Sequence, residues 1–265
     1  REYASTYKKQ ERLWALCKDA ARFFHTQLLA PCGEEARQYI TKRALSRSTV
    51  TRFGLGFAPN EWLSLLDEMV KKGYTKEELL EAGLAVKSQK GGIYDRFRNR
   101  LMFPIIDVRG NIIGFGGRVM DDSTPKYLNS PETIIFNKRK NLFALNIAKK
   151  SKQGRIILTE GYMDAIALHQ YGFDCAVASL GTSLTEEHAN LLAKYTNQIV
   201  LIYDGDEAGQ NATRRAIPML EKVGLQVKIL RMQGAKDPDE FLRKYGADRF
   251  SLLLDQSENQ AEYRL

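Results

Sequence analysis

Apolar positions in the first ninety residues recur at helical spacing. Leu13, Leu16, Cys17, Ala20, Ala21 and Phe24 form one stripe and Trp62, Leu65, Leu66 and Met69 another, so each predicts a helix with one face in a core. The period changes over residues 93–120, where alternation predicts strands joined by a turn at residues 107–111. Thr124-Pro125 and Asn129-Ser130-Pro131 then punctuate a loop, and a helical stretch is expected at 142–149.

From there a strand-helix rhythm sets in. Strands are expected at 156–159, 175–179, 198–203 and 226–232, with helices at 163–171, 186–195 and 208–223 between them. Strands separated by helices of this length imply a parallel sheet with right-handed crossovers. Gly172 and Gly224 stand where helices end, and Ser183-Leu184-Thr185-Glu186 has the spacing of a capping box. A further helix is expected to begin after Gly246 and run on toward Leu265. The pattern divides the chain into a mixed α/β segment at 1–140, the alternating segment at 141–247 and a helical start at 248–265.

Composition narrows the class. With 43% hydrophobic and 27% charged residues in 265, the chain is long enough to bury a sizeable core. No apolar run reaches the roughly 18 residues that cross a bilayer, and no basic, apolar leader opens the chain, so membrane and secretory readings are set aside. Cys17, Cys32 and Cys175 are scattered and form no ligand spacing with His25, His169 or His188; a reducing cytoplasm fits and zinc does not. The first residue is Arg1 rather than Met, which reads as a piece of something longer.

The net charge of +8 is unevenly spread: residues 1–150 hold 27 Lys and Arg against 16 Asp and Glu, and the rest hold 13 against 16. Such an asymmetry fits plain solubility or a nucleic-acid surface. Placement favours the second. Arg96, Arg98 and Arg100 occupy every second position, so one strand face should carry three guanidiniums, which repel one another unless an anion lies across them. Lys42, Arg43, Arg47 and Arg52 serve structure or phosphate contact equally on this reading; Arg118, Lys126 and Lys138-Arg139-Lys140 extend the basic run.

The acids sit elsewhere. Glu160 follows the first strand of the alternating segment, Asp204-Gly205-Asp206 the third, and Asp237-Pro238-Asp239 the fourth. Ligands gather beyond the carboxyl ends of parallel strands, so these acids are expected in one crevice. Each has a plain reading alone: a turn, a helix start, a cap. Together they suit a pair of divalent ions, with Asp204 and Asp206 on one side of an extended backbone and Pro238 keeping Asp237 and Asp239 on a common side. Oxygen ligands without His or Cys point to Mg²⁺ or Mn²⁺.

Glu160-Gly161-Tyr162-Met163-Asp164, Ala178-Ser179-Leu180-Gly181-Thr182-Ser183, Tyr203-Asp204-Gly205-Asp206-Glu207-Ala208-Gly209 and Asp237-Pro238-Asp239 resemble the Toprim motifs of bacterial replicative DNA primases, the DnaG family. Upstream, Tyr94-Asp95-Arg96-Phe97-Arg98-Asn99-Arg100, Gly114-Phe115-Gly116-Gly117-Arg118 and Pro125-Lys126-Tyr127-Leu128-Asn129-Ser130-Pro131-Glu132 resemble that family's polymerase core, and the likeness runs over residues 39–246. It implies an α/β fold, a Toprim-type parallel sheet with flanking helices preceded by a basic mixed α/β subdomain. It also implies an RNA polymerase that primes synthesis on single-stranded DNA from ribonucleoside triphosphates, in the cytoplasm at the replication fork. Glu160 would be the catalytic acid, acting with Asp204 and Asp206; Asp237 and Asp239 would complete the metal ligands. Arg43, Arg96, Arg98, Arg118, Lys126, Tyr127, Asn129 and Lys138 would handle nucleotide and template. The residues offer no match to the family's zinc-binding or helicase-binding domains, so the replicative helicase and single-stranded DNA-binding protein would be met through the full-length protein. At Ala44 the family usually has Gly. DNA cleavage and DNA binding without chemistry remain as rival readings, the first short of room for a nucleophilic tyrosine domain, the second not needing five acids.

Overall fold

A computed structural model describes residues 2–259, which fall into two compact units that meet in sequence between Asn137 and Lys138. The first contains α1 (Glu2–Leu29), α2 (Glu34–Lys42), α3 (Arg47–Phe53), β1 (Gly56–Ala58), α4 (Ser64–Lys71), α5 (Lys76–Glu81), β2 (Ala85–Lys87), β3 (Ile93–Asp95), β4 (Arg100–Ile106), β5 (Ile112–Val119) and β6 (Tyr127–Asn129). β1, β4, β5 and β6 make an antiparallel sheet in that order, and β2 pairs with β3 in a separate hairpin. The predicted stripe of α1 lies on this sheet: Leu13, Leu16, Cys17, Ala20 and Phe24 are buried with Met102 and Phe115, and Phe24 meets Phe115 edge-on at 5.3 Å. The second stripe divides. Leu65, Leu66 and Met69 are buried, but Trp62 precedes α4 and is 62% exposed.

α4 depends on a residue outside it. Its first turn has no side-chain cap of its own; instead the buried Asp95 carboxylate at the end of β3 accepts the N–H groups of Leu65 (2.8 Å) and Leu66 (2.9 Å). Burial pushes the Asp95 carboxyl up to about 6, against the pull of those two bonds.

The second unit contains α6 (Leu145–Ala148), β7 (Ile156–Thr159), α7 (Tyr162–Gln170), β8 (Ala176–Ala178), α8 (Glu186–Ala193), β9 (Gln198–Ile202), α9 (Glu207–Lys222), β10 (Gln226–Ile229), α10 (Pro238–Tyr245), α11 (Ala247–Asp255) and β11 (Glu258–Asn259). The sheet order is β11-β10-β9-β7-β8, with β10, β9, β7 and β8 parallel as the alternation predicts and β11 antiparallel on the edge. Strands β7, β8 and β9 bury almost every side chain, which is why they read as short apolar runs and not as alternating ones. Gly172 and Gly224 take positive φ just past α7 and α9. The helix expected after Gly246 ends at Asp255, because the chain turns back to pair with β10; its expected continuation over 260–265 lies outside the described residues. The capping box stands two residues later than predicted: Thr185 is the N-cap, and His188, not a carboxylate or amide, returns the second bond.

Candidate active site

The parallel register sets the site. β7 and β9 are adjacent, with Thr159 opposite Ile202, so Glu160 and Asp204 leave the sheet side by side, and the Asp204 N–H donates to the Glu160 carboxylate at 3.1 Å. Asp206 caps α9, accepting the Gly209 N–H at 2.7 Å. A side chain at 209 is impossible without rearrangement, since a Cβ there would lie 1.9 Å from the Asp204 carbonyl oxygen; Asp-Gly-Asp and the following Gly thus form one tight strand-to-helix turn.

The remaining pair departs from expectation. Asp237 and Asp239 do not share a side, because Pro238 begins α10 instead of interrupting a strand. Asp237 caps the helix through the Glu240 N–H at 2.8 Å, whereas Asp239, the second residue of α10, is buried and ion-paired with Arg243 at 3.3 Å. The Asp239 N–H points to Asp164, 3.4 Å away. Asp164 belongs to the first turn of α7, four residues after Glu160, and spacing alone did not single it out. Burial first, then the charges of Asp237, Asp204 and Asp239, push its carboxyl up to about 8. Partial burial and Asp206 and Asp237 raise Asp204, and partial burial and Asp204 and Asp206 raise Glu160, with Lys236 opposing at Asp204 and the Asp204 N–H at Glu160. Among the described residues no three His, Cys, Asp or Glu side chains are drawn together closely enough to hold an ion jointly. The acids form a chain of mutual repulsion, not the single five-membered cluster expected. A cavity of about 720 Å³ opens beside it, lined by Asp204, Asp206, Asp237, Arg214, Arg231 and Lys236 among others.

The donor chemistry fits a hard divalent cation. All donors are oxygens, and a charge-repelled carboxylate such as Asp164 is what a cation relieves. Magnesium commonly takes one or two carboxylates and completes its shell with water and substrate phosphate, so three converging side chains are not required.

In the first unit the arginines separate into different roles. The expected face of three guanidiniums does not exist, because Asn99 turns left-handed (φ 51°) between β3 and β4 and breaks the alternation. Arg100 is buried and donates to the carbonyls of Gly117 (3.0 Å), Pro125 (2.8 Å) and Lys126 (3.3 Å), a structural brace across the sheet edge. Arg96 is partly buried and donates to the Asn129 carbonyl at 2.7 Å, which also assigns Asn129 a backbone role. Arg98 stacks on Trp62 at 3.9 Å, and its Nη1 is buried without a partner among the described residues.

Arg118 and Arg43 share one aromatic platform: Arg118 lies 4.2 Å over the Tyr39 ring, and Arg43 donates to the Tyr39 hydroxyl at 3.1 Å. Tyr127 faces Arg118 across β5 and β6, and burial raises its phenol to about 12. Lys126 is exposed beside it. Lys138 stands in the second unit, where its carbonyl accepts from His188 Nε2 at 2.8 Å. The buried His188 also accepts the Thr185 N–H through Nδ1, and Thr185 Oγ1 donates to the Arg139 carbonyl at 2.7 Å, so the N-terminus of α8 pins the basic segment 138–140. Burial lowers the His188 pKa, which keeps Nδ1 an acceptor.

Residues 23–149 match the model for the DNA primase catalytic core, N-terminal domain, and residues 157–242 match the Toprim-like model. The chain is 48% identical over 264 residues to a DNA primase of Clostridium acetobutylicum, covering 99% of itself and 44% of that relative. It is 42% identical over 255 residues to the DNA primase of Escherichia coli K12, again across 44% of the relative. The chain thus spans somewhat under half the length of these curated relatives. A solved DnaG primase catalytic domain bound to single-stranded DNA is similar at a TM-score of 0.89 and 41% identity, over 96% of this chain and 83% of that one.

Proposed function

Since the chain belongs to the DnaG family of DNA primases and spans part of the catalytic core, we propose that it joins ribonucleotides into short RNA primers on a single-stranded DNA template. The observation that carries this reading is the side-by-side exit of Glu160 and Asp204 from adjacent parallel strands, with Asp206 and Asp237 close enough to raise Asp204. Glu160, Asp204, Asp206 and Asp237 would hold Mg²⁺, or Mn²⁺ in its place, with Asp164 and Asp239 supporting from α7 and α10. Bound there, the ions would lower the pKa of an attacking 3′-hydroxyl and offset charge on the leaving pyrophosphate.

The chain's own residues supply the rest. Partial burial and the charges of Asp204 and Asp206 raise the Glu160 carboxyl, the direction that favours its taking up a proton. Arg98 on Trp62 and Arg118 on Tyr39 would offer flat guanidiniums, held in place by the rings, to phosphate. Arg43, Lys126, Tyr127 and Lys138 complete the contacts to nucleotide and strand. Arg96 and Asn129 act by positioning, through the bond between them. Residues 1–140 would then receive template and triphosphate and 141–247 carry the chemistry, while α11 and β11, expected to open a separate helical region, pack into the second unit instead. A replicative helicase and a single-stranded DNA-binding protein would be partners of the full-length protein, at the replication fork in the cytoplasm; no helix among the described residues is long and apolar enough to cross a membrane.

Incubation with single-stranded template, labelled ribonucleotides and Mg²⁺ tests the proposal. Extended RNA is expected; cut DNA, or a gel shift with no new product, would overturn it.

A further inference from the structure

Glu160 lines a second cavity, of about 280 Å³, together with Tyr203, Arg215 and the loop Gly181-Thr182-Ser183. Gly181, Thr182 and Ser183 belong to one of the motifs noted in the sequence, whereas Arg215 did not stand out. The loop follows β8, so it too lies beyond the carboxyl end of a parallel strand, where such sheets bind ligands. Gly181 is left-handed at φ 72°, and among the described residues the N–H groups of Gly181, Thr182 and Ser183 donate to no protein acceptor. Successive N–H groups in such a turn form concavities that suit negatively charged oxygens. Arg215 projects from α9 into the same cavity; it is exposed and has no ion pair or hydrogen bond among the described residues. Ser179 and Tyr203 line the cavity beside Glu160.

We propose that this cavity is a phosphate subsite, in which the 181–183 N–H groups and the Arg215 guanidinium hold phosphate oxygens beside Glu160. The proposal rests on the nucleotidyl-transfer reading for its place in the reaction. Free donors and an unpaired cation favour an anion, and the guanidinium fork matches phosphate oxygens in pairs. Glu160 repels bare phosphate, so the occupant is phosphate carrying a magnesium counter-ion, whose cation the carboxylate accepts. Two sources share this chemistry: the phosphates of a nucleotide, and the backbone of a nucleic-acid strand.

Two equilibrium titrations on the whole chain separate them. One adds pyrophosphate with Mg²⁺ and reads heat; the other adds a labelled single-stranded oligonucleotide and reads anisotropy. Losing one charge-assisted contact should weaken binding about tenfold in Arg215→Ala, with Arg215→Lys keeping part of the affinity. A loss confined to pyrophosphate assigns the nucleotide, and a loss confined to the oligonucleotide assigns the strand. Unchanged affinity in both titrations overturns the subsite. Neither reading needs RNA to be made: a chain that binds pyrophosphate through Arg215 yet synthesises nothing would sink the synthesis proposal and leave the subsite standing.

Discussion

The two units treat charge in opposite ways. In the first, Arg96 and Arg100 are consumed by carbonyl oxygens of their own fold, and Arg98 and Arg118 are steadied on aromatic rings. In the second, on top of burial, Asp206 and Asp237 raise Asp204, Asp204 and Asp206 raise Glu160, and Asp237, Asp204 and Asp239 raise Asp164, opposed among the described residues by backbone N–H groups and Lys236. A unit whose charges are internally satisfied is a scaffold with a few groups left over for a ligand. One whose charges are left in conflict is waiting for a counter-ion.

The contrast breaks first at Asp204. Asp204→Ala removes a carboxylate from the conflict, so it should leave the thermal midpoint unchanged or higher while costing RNA synthesis about 10³-fold, taking metal stabilisation as about 4 kcal/mol. A coupled loss of stability and activity, followed by calorimetry and primer extension, would show that the residue is structural. The mirror experiment is Arg100→Ala. It strands three carbonyl acceptors in the sheet edge and should destabilise the first unit by about 3 kcal/mol in urea unfolding. Arg98→Ala should instead cost about 1 kcal/mol of stability and lower the salt dependence of oligonucleotide binding by about one ion. Equal effects from the two arginines would erase the distinction between brace and contact.

Asp95 sharpens the comparison within the first unit. Its folded carboxyl titrates near 6, above the unfolded value of 3.8, so the folded state binds the extra proton. The stability that Asp95 contributes should therefore be fully present below about pH 4 and be lost, by at most about 3 kcal/mol, as pH rises through 6, a component of the slope that Asp95→Asn removes. Urea midpoints between pH 4 and 7 read it directly. The smallest effect is at Ala44, which sits left-handed at φ 56°. That conformation suits Gly better than Ala, and Ala44→Gly should stabilise the first unit by about 1 kcal/mol.

The acids at the strand ends were legible because topology dictated them: a buried apolar run followed by Glu or Asp can only end at the carboxyl edge of a parallel sheet. The arginines were misread for the opposite reason. Alternation holds only while the strand continues: β3 ends at Asp95, Asn99 is left-handed, and β4 begins only at Arg100, so the three arginines do not share one strand face. Asp237-Pro238-Asp239 failed on the same kind of local choice, since Pro serves the first turn of a helix as readily as it interrupts one. Trp62 carried the period of a core stripe but precedes the helix, where the period has no meaning. Asp164, Arg215 and the His188 clamp gave no sequence signal beyond their motifs, because their roles arise from neighbours brought close only by the sheet.

The central claim is that the strand-end carboxylates hold the cations on which synthesis runs. Mn²⁺ binding to the whole chain, followed by electron paramagnetic resonance, measures this without any reaction. Wild type should sequester Mn²⁺, with Asp204→Asn binding at least tenfold more weakly; equal binding by the two proteins would contradict it.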